Sequence, residues 1–125
     1  MIDHVAISVI NINTSGNFYS NSLQALGYKE LDKDDLTISY GKFKNISFVI
    51  SQLGNILEPV GKARGLHIAF NALSIENVLS WYSIALENGG KIITAPKYTD
   101  AGLFHALVQD PDGWKLEAVF RKRNS

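Results

Sequence analysis

Apolar residues alternate with polar or small ones near the start of the chain, and the same pattern returns in its second half. Residues 5–9 read VAISV and residues 67–71 read HIAFN. A period of two predicts a strand with one covered face. In the second half a helical period follows Ser74, and Gly89 and Gly90 can end that helix with a left-handed residue. The helical positions are Ile75, Val78, Tyr82, Ala85 and Leu86.

The two stretches belong to an internal repeat. A shift of 63 residues lays residues 4–27 over residues 67–90 without a gap, and seven of these 24 positions are identical. The candidate helix caps Asn11 and Ser74 also coincide. The identical pairs are His4/His67, Ala6/Ala69, Ile12/Ile75, Tyr19/Tyr82, Ser20/Ser83, Leu23/Leu86 and Gly27/Gly90. The sequence therefore predicts one module used twice.

Three short strand-like segments follow each predicted helix. They span residues 28–31, 36–40, 46–52, 91–95, 103–109 and 114–120. The sequence Asp-Pro-Asp-Gly at residues 110–113 is a strong turn signal, so the last two strands should form a hairpin. The predicted fold is α+β, a single domain with two βαβββ modules at residues 1–52 and 65–120. Residues 53–64 contain Gly and Pro without a clear period and are predicted to form a linker, and residues 121–125 a basic tail.

Composition and charge narrow the possible partners. The chain has 125 residues, twelve basic and twelve acidic ones, and no cysteine. A net charge of zero gives no overall attraction to nucleic acid or to anionic membranes, and the absence of cysteine excludes disulfides and thiolate chemistry. No stretch approaches the ~18 apolar residues that span a bilayer. We expect a cytoplasmic protein that binds a small molecule and neither nucleic acid nor membrane.

A carboxylate in the last predicted strand is the first candidate for chemistry. Glu117 stands among apolar residues, and burying an unpaired carboxylate is costly, so such a residue is usually exposed, paired with a cation or bound to a metal. Alternation turns it away from the helix, as it does His4 and His67 on the first strand of each module. If those faces meet, two imidazoles and a carboxylate form an open site for a divalent metal. The alternatives are structural histidines and a Glu117 that pairs with Lys115 or Arg121.

With the repeat in view, the chain resembles the glyoxalase, bleomycin-resistance and extradiol dioxygenase superfamily, also called the vicinal oxygen chelate fold. Three segments carry the resemblance: DHVAISV at residues 3–9, GLHIAF at residues 65–70 and DPDGWKLEAVF at residues 110–120. The resemblance implies curved mixed sheets that form a cup around a divalent Zn, Ni, Mn, Co or Fe(II) ion. The family's metal ligands match His4, His67 and Glu117. It also implies a homodimer, in which one cup can combine modules of two chains.

One departure from the family pattern bears on the reaction. Glyoxalase I enzymes add a fourth protein ligand, commonly Glu, near the end of the first module's last strand, where this chain has Ser51. Gln52 would replace it only if the strand slipped by one residue. We therefore expect no lactoylglutathione lyase activity, because that reaction uses a carboxylate there for proton transfer.

Two classes of function remain open. The first is a small metal-dependent enzyme, a lyase, isomerase, transferase or dioxygenase, acting on a substrate that chelates the metal through vicinal oxygens. Glu117 would act at the metal, and His105 is a further acid-base candidate, although its strand is apolar in both registers. Ser51, Asn71, Lys115 and Tyr98 are candidates for substrate binding. The second class is a non-catalytic protein that sequesters a small molecule, as the bleomycin-resistance proteins do.

Overall fold

The computed structural model describes residues 1–52 and 65–122 and contains the predicted repeat. The first module comprises β1 (Val5–Val9), α1 (Ile12–Gln24), β2 (Lys29–Lys33), β3 (Thr37–Lys42) and β4 (Asn45–Gln52). The second comprises β5 (Ile68–Ala72), α2 (Ile75–Glu87), β6 (Lys91–Tyr98), β7 (Phe104–Gln109) and β8 (Lys115–Phe120). The α+β class and the βαβββ order are confirmed. The predicted linker and the last three residues of the tail lie outside the described residues, so the module boundaries stay a prediction.

Each module builds one four-stranded mixed sheet. The strand orders are β1-β4-β3-β2 and β5-β8-β7-β6, with the first and last strands of each module parallel and the other pairs antiparallel. A parallel pair needs a long crossover, which the helix and two intervening strands supply. This topology places β5 next to β8, and Ala69 lies opposite Glu117.

The helices begin where the sequence predicts. The side chain of Asn11 accepts hydrogen bonds from the backbone of Asn13 and Thr14, and Ser74 accepts one from Asn77. In addition, the Gln52 side chain accepts a 2.7 Å hydrogen bond from the backbone N–H of Ile12. This contact satisfies a donor that the helix cannot satisfy itself, and it fastens the end of β4 to a helix of weak intrinsic propensity. No helix among the described residues is long and apolar enough to cross a membrane.

The helix-bearing faces of the two sheets share one core. The rings of Phe48, from the first sheet, and Phe70, from the second, pack edge to face with centroids 5.2 Å apart. Tyr28 packs against Phe70 from the first module as well. The two opposite faces are therefore turned away from the shared core, and Ala6 and Ala69 on these outer faces are exposed. Fully buried core side chains include Phe18, Tyr19, Leu23, Ile50, Val78, Trp81 and Val108.

The turn between β7 and β8 fastens the second module to the first. Asp110 is buried, and its carboxylate accepts hydrogen bonds from the Tyr19 hydroxyl at 2.6 Å and from the backbone of Asp112 and Trp114 at 2.8 Å each. Asp112 in turn accepts one from the backbone of Ile10. Burial raises the pKa of Asp110 and raises that of Tyr19 well above its usual value. The predicted turn is confirmed, and its two carboxylates also hold the modules together.

Candidate functional site

The outer face of the second sheet carries the candidate site. On β8, Leu116 and Ala118 are buried toward α2, so Glu117 between them points to the opposite side. Leu107 on β7 is its direct neighbour across the antiparallel pair, as Ala69 is across the parallel one. Glu117 thus stands in the middle of the face, on the central strand pair of the sheet.

Two histidines contact the carboxylate of Glu117. Its Oε1 lies 3.1 Å from Nε2 of His67, and its Oε2 lies 2.6 Å from Nδ1 of His105. The side chains of Glu117 and His105 are 14% and 15% exposed, whereas that of His67 is 46% exposed. We call these three residues the Glu117 cluster. Each carboxylate oxygen has one imidazole partner, so the carboxylate that the sequence placed among apolar residues is compensated within the chain.

The hydrogen bond to Glu117 determines which ring nitrogen of His105 carries the proton. An ionised carboxylate only accepts hydrogen bonds, so the His105 nitrogen that is hydrogen-bonded to Glu117 carries the proton. In His105 that nitrogen is Nδ1, which leaves Nε2 as the nitrogen available to another group. His67 contacts Glu117 through Nε2, and its ring is more exposed than that of His105.

The third expected ligand stands elsewhere in the chain. His4 precedes β1 in the first sheet, is about half exposed, and its Nδ1 contacts Asp3 at 2.8 Å. Because the two sheets meet through their helix-bearing faces, the outer face beside His4 does not meet the outer face that carries Glu117. Over residues 1–52 and 65–122, no three His, Asp or Glu side chains have a geometry that could hold a metal ion. One chain therefore brings together His67 and Glu117 but not the complete expected ligand set.

Ser51, at the position where a fourth ligand was considered, faces away from the core as the strand alternation predicts. Ser51 lies on the outer face of β4, opposite Ser8 and Thr37, and its hydroxyl is 3.3 Å from that of Thr37. Gln52 faces the other side, where it caps α1. The strand has not slipped, and this position of the first sheet presents a hydroxyl rather than a carboxylate.

The remaining candidates take different places. Lys115 and Asn71 are exposed on the same outer face as Glu117. Tyr98 is exposed at the end of β6 and packs edge to face on Phe104. The sequence alternative in which Glu117 pairs with Lys115 or Arg121 is not formed, since both of its oxygens contact imidazoles.

His105 is the closest partner of Glu117, a contact that was not predicted although the sequence contains a signal for it. The predicted turn at residues 110–113 pairs Gln109 with Lys115, and counting along the hairpin then pairs Leu107 with Glu117. Alternation puts His105 on that same face, diagonal to Glu117 and within reach of it. The apolar residues on both sides of His105 hid this facing, because β7 is covered on its helix side and half-buried on the other.

Comparison with known proteins fits this architecture. The family model of the Glyoxalase/Bleomycin resistance protein/Dioxygenase superfamily matches residues 1–118. The chain belongs to this superfamily. No curated protein matches the sequence significantly.

Solved structures of this superfamily share the fold along nearly the whole chain. A glyoxalase/bleomycin resistance protein from Albidiferax ferrireducens T118 is 25% identical, with a TM-score of 0.81, and the match covers 96% of this chain and 98% of that one. A family enzyme from Burkholderia phytofirmans PsJN is 19% identical, with a TM-score of 0.73 and coverage of 95% and 97%. A glyoxalase-related enzyme from Fulvimarina pelagi is 16% identical, with a TM-score of 0.74 and coverage of 97% and 88%. The last two likenesses concern the fold alone.

Proposed function

We propose that this superfamily member is a small metal-dependent enzyme whose substrate binds a divalent cation through two adjacent oxygens. The observation that carries the proposal is the meeting of His67 and Glu117, 3.1 Å apart, on the outer face of the second sheet. Imidazole and carboxylate suit Zn, Ni, Mn, Co and Fe(II) alike, so the donor set leaves the metal's identity open. When bound, such an ion supplies Lewis-acid stabilisation of negative charge on substrate oxygens.

The third ligand would be His4 of a second copy of the chain. Within one chain the two outer faces point away from each other, and both expose small side chains such as Ala6 and Ala69. A two-fold dimer that sets the first module of one chain against the second module of the other would bring these faces together. Such a dimer would enclose two equivalent cups, each with His67 and Glu117 from one chain.

Different residues of the cup would bind the metal and the substrate. Glu117 would bind the cation with one oxygen while His105 fixes the other oxygen at 2.6 Å, which holds the carboxylate in one orientation. Asn71 and Lys115, exposed on the same face, would contact the substrate. Ser51 would contribute a neutral hydroxyl from the facing sheet. The reaction class remains that of a lyase, transferase or dioxygenase of this superfamily.

One observation favours a second candidate, a non-catalytic binding protein. Both oxygens of Glu117 are already paired with imidazoles of the same chain, so the carboxylate is stable without a metal. In that case the outer faces would enclose an organic ligand in the dimer groove, and the Glu117 cluster would be a hydrogen-bonding wall.

Metal analysis separates the two candidates. Protein purified without chelator should contain about one divalent ion per chain, and His67→Ala and Glu117→Gln should both lose it. Lys115→Gln is the matched control, because it changes a charge on the same face two residues from Glu117 without removing a proposed ligand. If the wild-type protein binds no divalent ion even after supplementation, the binding-protein candidate is the correct one.

Mixed dimers test the contribution of His4. Separately, His4→Ala and Glu117→Gln should each bind no metal. If the ligands come from two chains, refolding an equal mixture of both variants should restore about one quarter of an ion per chain, since half of the dimers then hold one intact site. A mixture that stays metal-free, while the wild-type protein is loaded, would place all ligands within one chain.

The serine at position 51 makes a separate prediction about the reaction. Lactoylglutathione lyase activity should be absent, because no carboxylate stands there to transfer the substrate proton. The assay is turnover of the methylglyoxal hemithioacetal by metal-loaded protein. Robust turnover would refute the role assigned to the fourth position, and Ser51→Glu tests whether a carboxylate alone introduces the activity.

A further inference from the structure

The edge strand of the second sheet is irregular beside the Glu117 cluster. The pairing of β6 with β7 shifts register twice, between Ile92 and Thr94 and again between Thr94 and Lys97. As a result, Thr94 lies opposite Leu107 and Lys97 lies opposite His105. Directly opposite residues of an antiparallel pair point to the same face, so Thr94 and Lys97 stand on the outer face with Glu117. Bulges of this kind often re-aim side chains next to functional sites.

The irregular strand borders a pocket of about 290 Å³. We call it the Lys97 pocket, and its lining residues are Thr94, Lys97, Tyr98, Thr99, Asp100 and His105. His105 lies between this pocket and Glu117: its ring lines the pocket, and its Nδ1 is hydrogen-bonded to Glu117. A ligand in the pocket would therefore lie one side chain away from the carboxylate of the proposed site, and Nε2 is the nitrogen of His105 left for it.

The pocket offers donors for an anion. Lys97 forms no ion pair with any described carboxylate, so its ammonium charge is left for a ligand. The hydroxyl oxygen of Thr99 accepts a hydrogen bond from the backbone of Leu103, which leaves its O–H free to donate. Asp100, which is exposed, is the one acidic residue among the described lining residues, and its charge would oppose any anion and a dianion about twice as strongly as a monoanion.

We propose that the Lys97 pocket binds the carboxylate end of a small monoanionic substrate. The assignment deepens the function proposed above and rests on it, since it places the reacting part of the substrate toward His105 and Glu117. Lys97 provides the charge, Thr94 and Thr99 provide hydroxyl donors, and Asp100 selects against dianions.

The experiment measures anion binding without relying on metal or turnover. Lactate is titrated into isotope-labelled, chelator-treated protein at constant ionic strength, and backbone amide shifts are followed by NMR. We expect saturable shifts at Thr94, Lys97, Thr99 and His105, and none with lactamide, which has the same shape but no charge. The same titration on Glu117→Gln should still show binding, whereas that variant abolishes metal binding under the proposed function. Failure of the pocket and failure of the metal site are thus separate results.

Two substitutions, one that removes a positive charge and one that removes a negative charge, give the decisive comparison. Lys97→Gln should weaken lactate binding at least threefold, and Asp100→Asn should strengthen it by a similar factor. Lys91→Gln is the matched control, because Lys91 lies on the same strand but does not line the pocket. Equal weakening by Lys97→Gln and Lys91→Gln would show a diffuse surface charge and overturn the proposal. Saturable shifts confined to another part of the chain would overturn it as well.

Discussion

Replacing Tyr19 by Phe should test how strongly the two modules are fastened together. The substitution removes one hydroxyl from a fully buried ring and leaves its partner, Asp110, only 2% exposed. Asp110 keeps its two backbone donors, but the oxygen that accepted the 2.6 Å hydrogen bond loses its partner. A hydrogen bond to a charged group contributes about 1.5–3 kcal/mol, and the orphaned oxygen cannot reach water.

The loss translates into a measurable shift of the melting temperature. At about 2.1 cal/mol/K of unfolding entropy per residue, a chain of this length loses roughly 4 °C per kcal/mol, so Tyr19→Phe should melt about 6–12 °C lower.

The effect of Tyr19→Phe on stability should also depend on pH, with a defined sign. Burial raises the pKa of Asp110 above its usual 3.8, so its ionisation costs stability as pH rises from about 4 through the raised value. The Tyr19 hydrogen bond lowers that pKa, and removing it makes the cost larger at pH 7 than at pH 4.

The assay is urea unfolding at pH 7 and pH 4, with Tyr82→Phe as the matched control. Tyr82 occupies the same position of the repeat but is only partly buried, so its hydroxyl can be replaced by water at little cost. The expected result is a large loss for Tyr19→Phe at pH 7, a smaller one at pH 4, and a change below about 0.5 kcal/mol for the control. Equal effects of the two substitutions, or no effect of Tyr19→Phe at pH 7, would refute the role given to Asp110.

Three further predictions concern other contacts. Burial raises the pKa of Tyr40 to about 12, so this hydroxyl should lower the stability by about 1.3 kcal/mol between pH 9 and pH 11, in addition to the contributions of Tyr19 and Tyr28, whose pKa values burial also raises. In urea titrations at these two pH values, Tyr40→Phe should lose about 1.3 kcal/mol less stability than the native protein. Gly41→Ala would place a methyl group 1.8 Å from the backbone oxygen of Asn45 and should destabilise by more than about 3 kcal/mol, whereas Gly102→Ala meets no atom and should cost only ~1 kcal/mol of backbone strain. Gln52→Ala should cost ~1 kcal/mol and speed amide hydrogen exchange at Ile12, and unchanged exchange there would contradict the cap.

The sequence predicted the fold well because its signals are local and most of them occur twice. The caps Asn11 and Ser74, the period-two strands and the turn at residues 110–113 each depend on neighbouring residues, and the repeat supports the caps and the first strand of each module a second time. The facing of Glu117 followed from the same alternation. These features needed no knowledge of how the modules pack.

The relation between the modules could not be read from the same signals. Alternation shows which side chains share a face of one sheet, but not which faces of two sheets meet. The sequence pattern is compatible with outer faces that meet within one chain, whereas the rings of Phe48 and Phe70 join the helix-bearing faces instead. The distance between His105 and Glu117 likewise depends on strand register, which no single strand reveals.

The hydrogen bond to Asp110 makes the two halves of the repeat unequal, because one half supplies the donor and the other the acceptor. The hairpin turn of the second half contains Asp110 and Asp112, while the corresponding turn of the first half, around residues 42–45, reads Lys-Phe-Lys-Asn. Tyr19 and Tyr82 occupy the same position of the two halves, yet only the turn of the second half contains a carboxylate that accepts a hydrogen bond from a tyrosine of the other half. A protein assembled from two first halves would bury two tyrosine hydroxyls without this acceptor, so the two halves cannot replace one another.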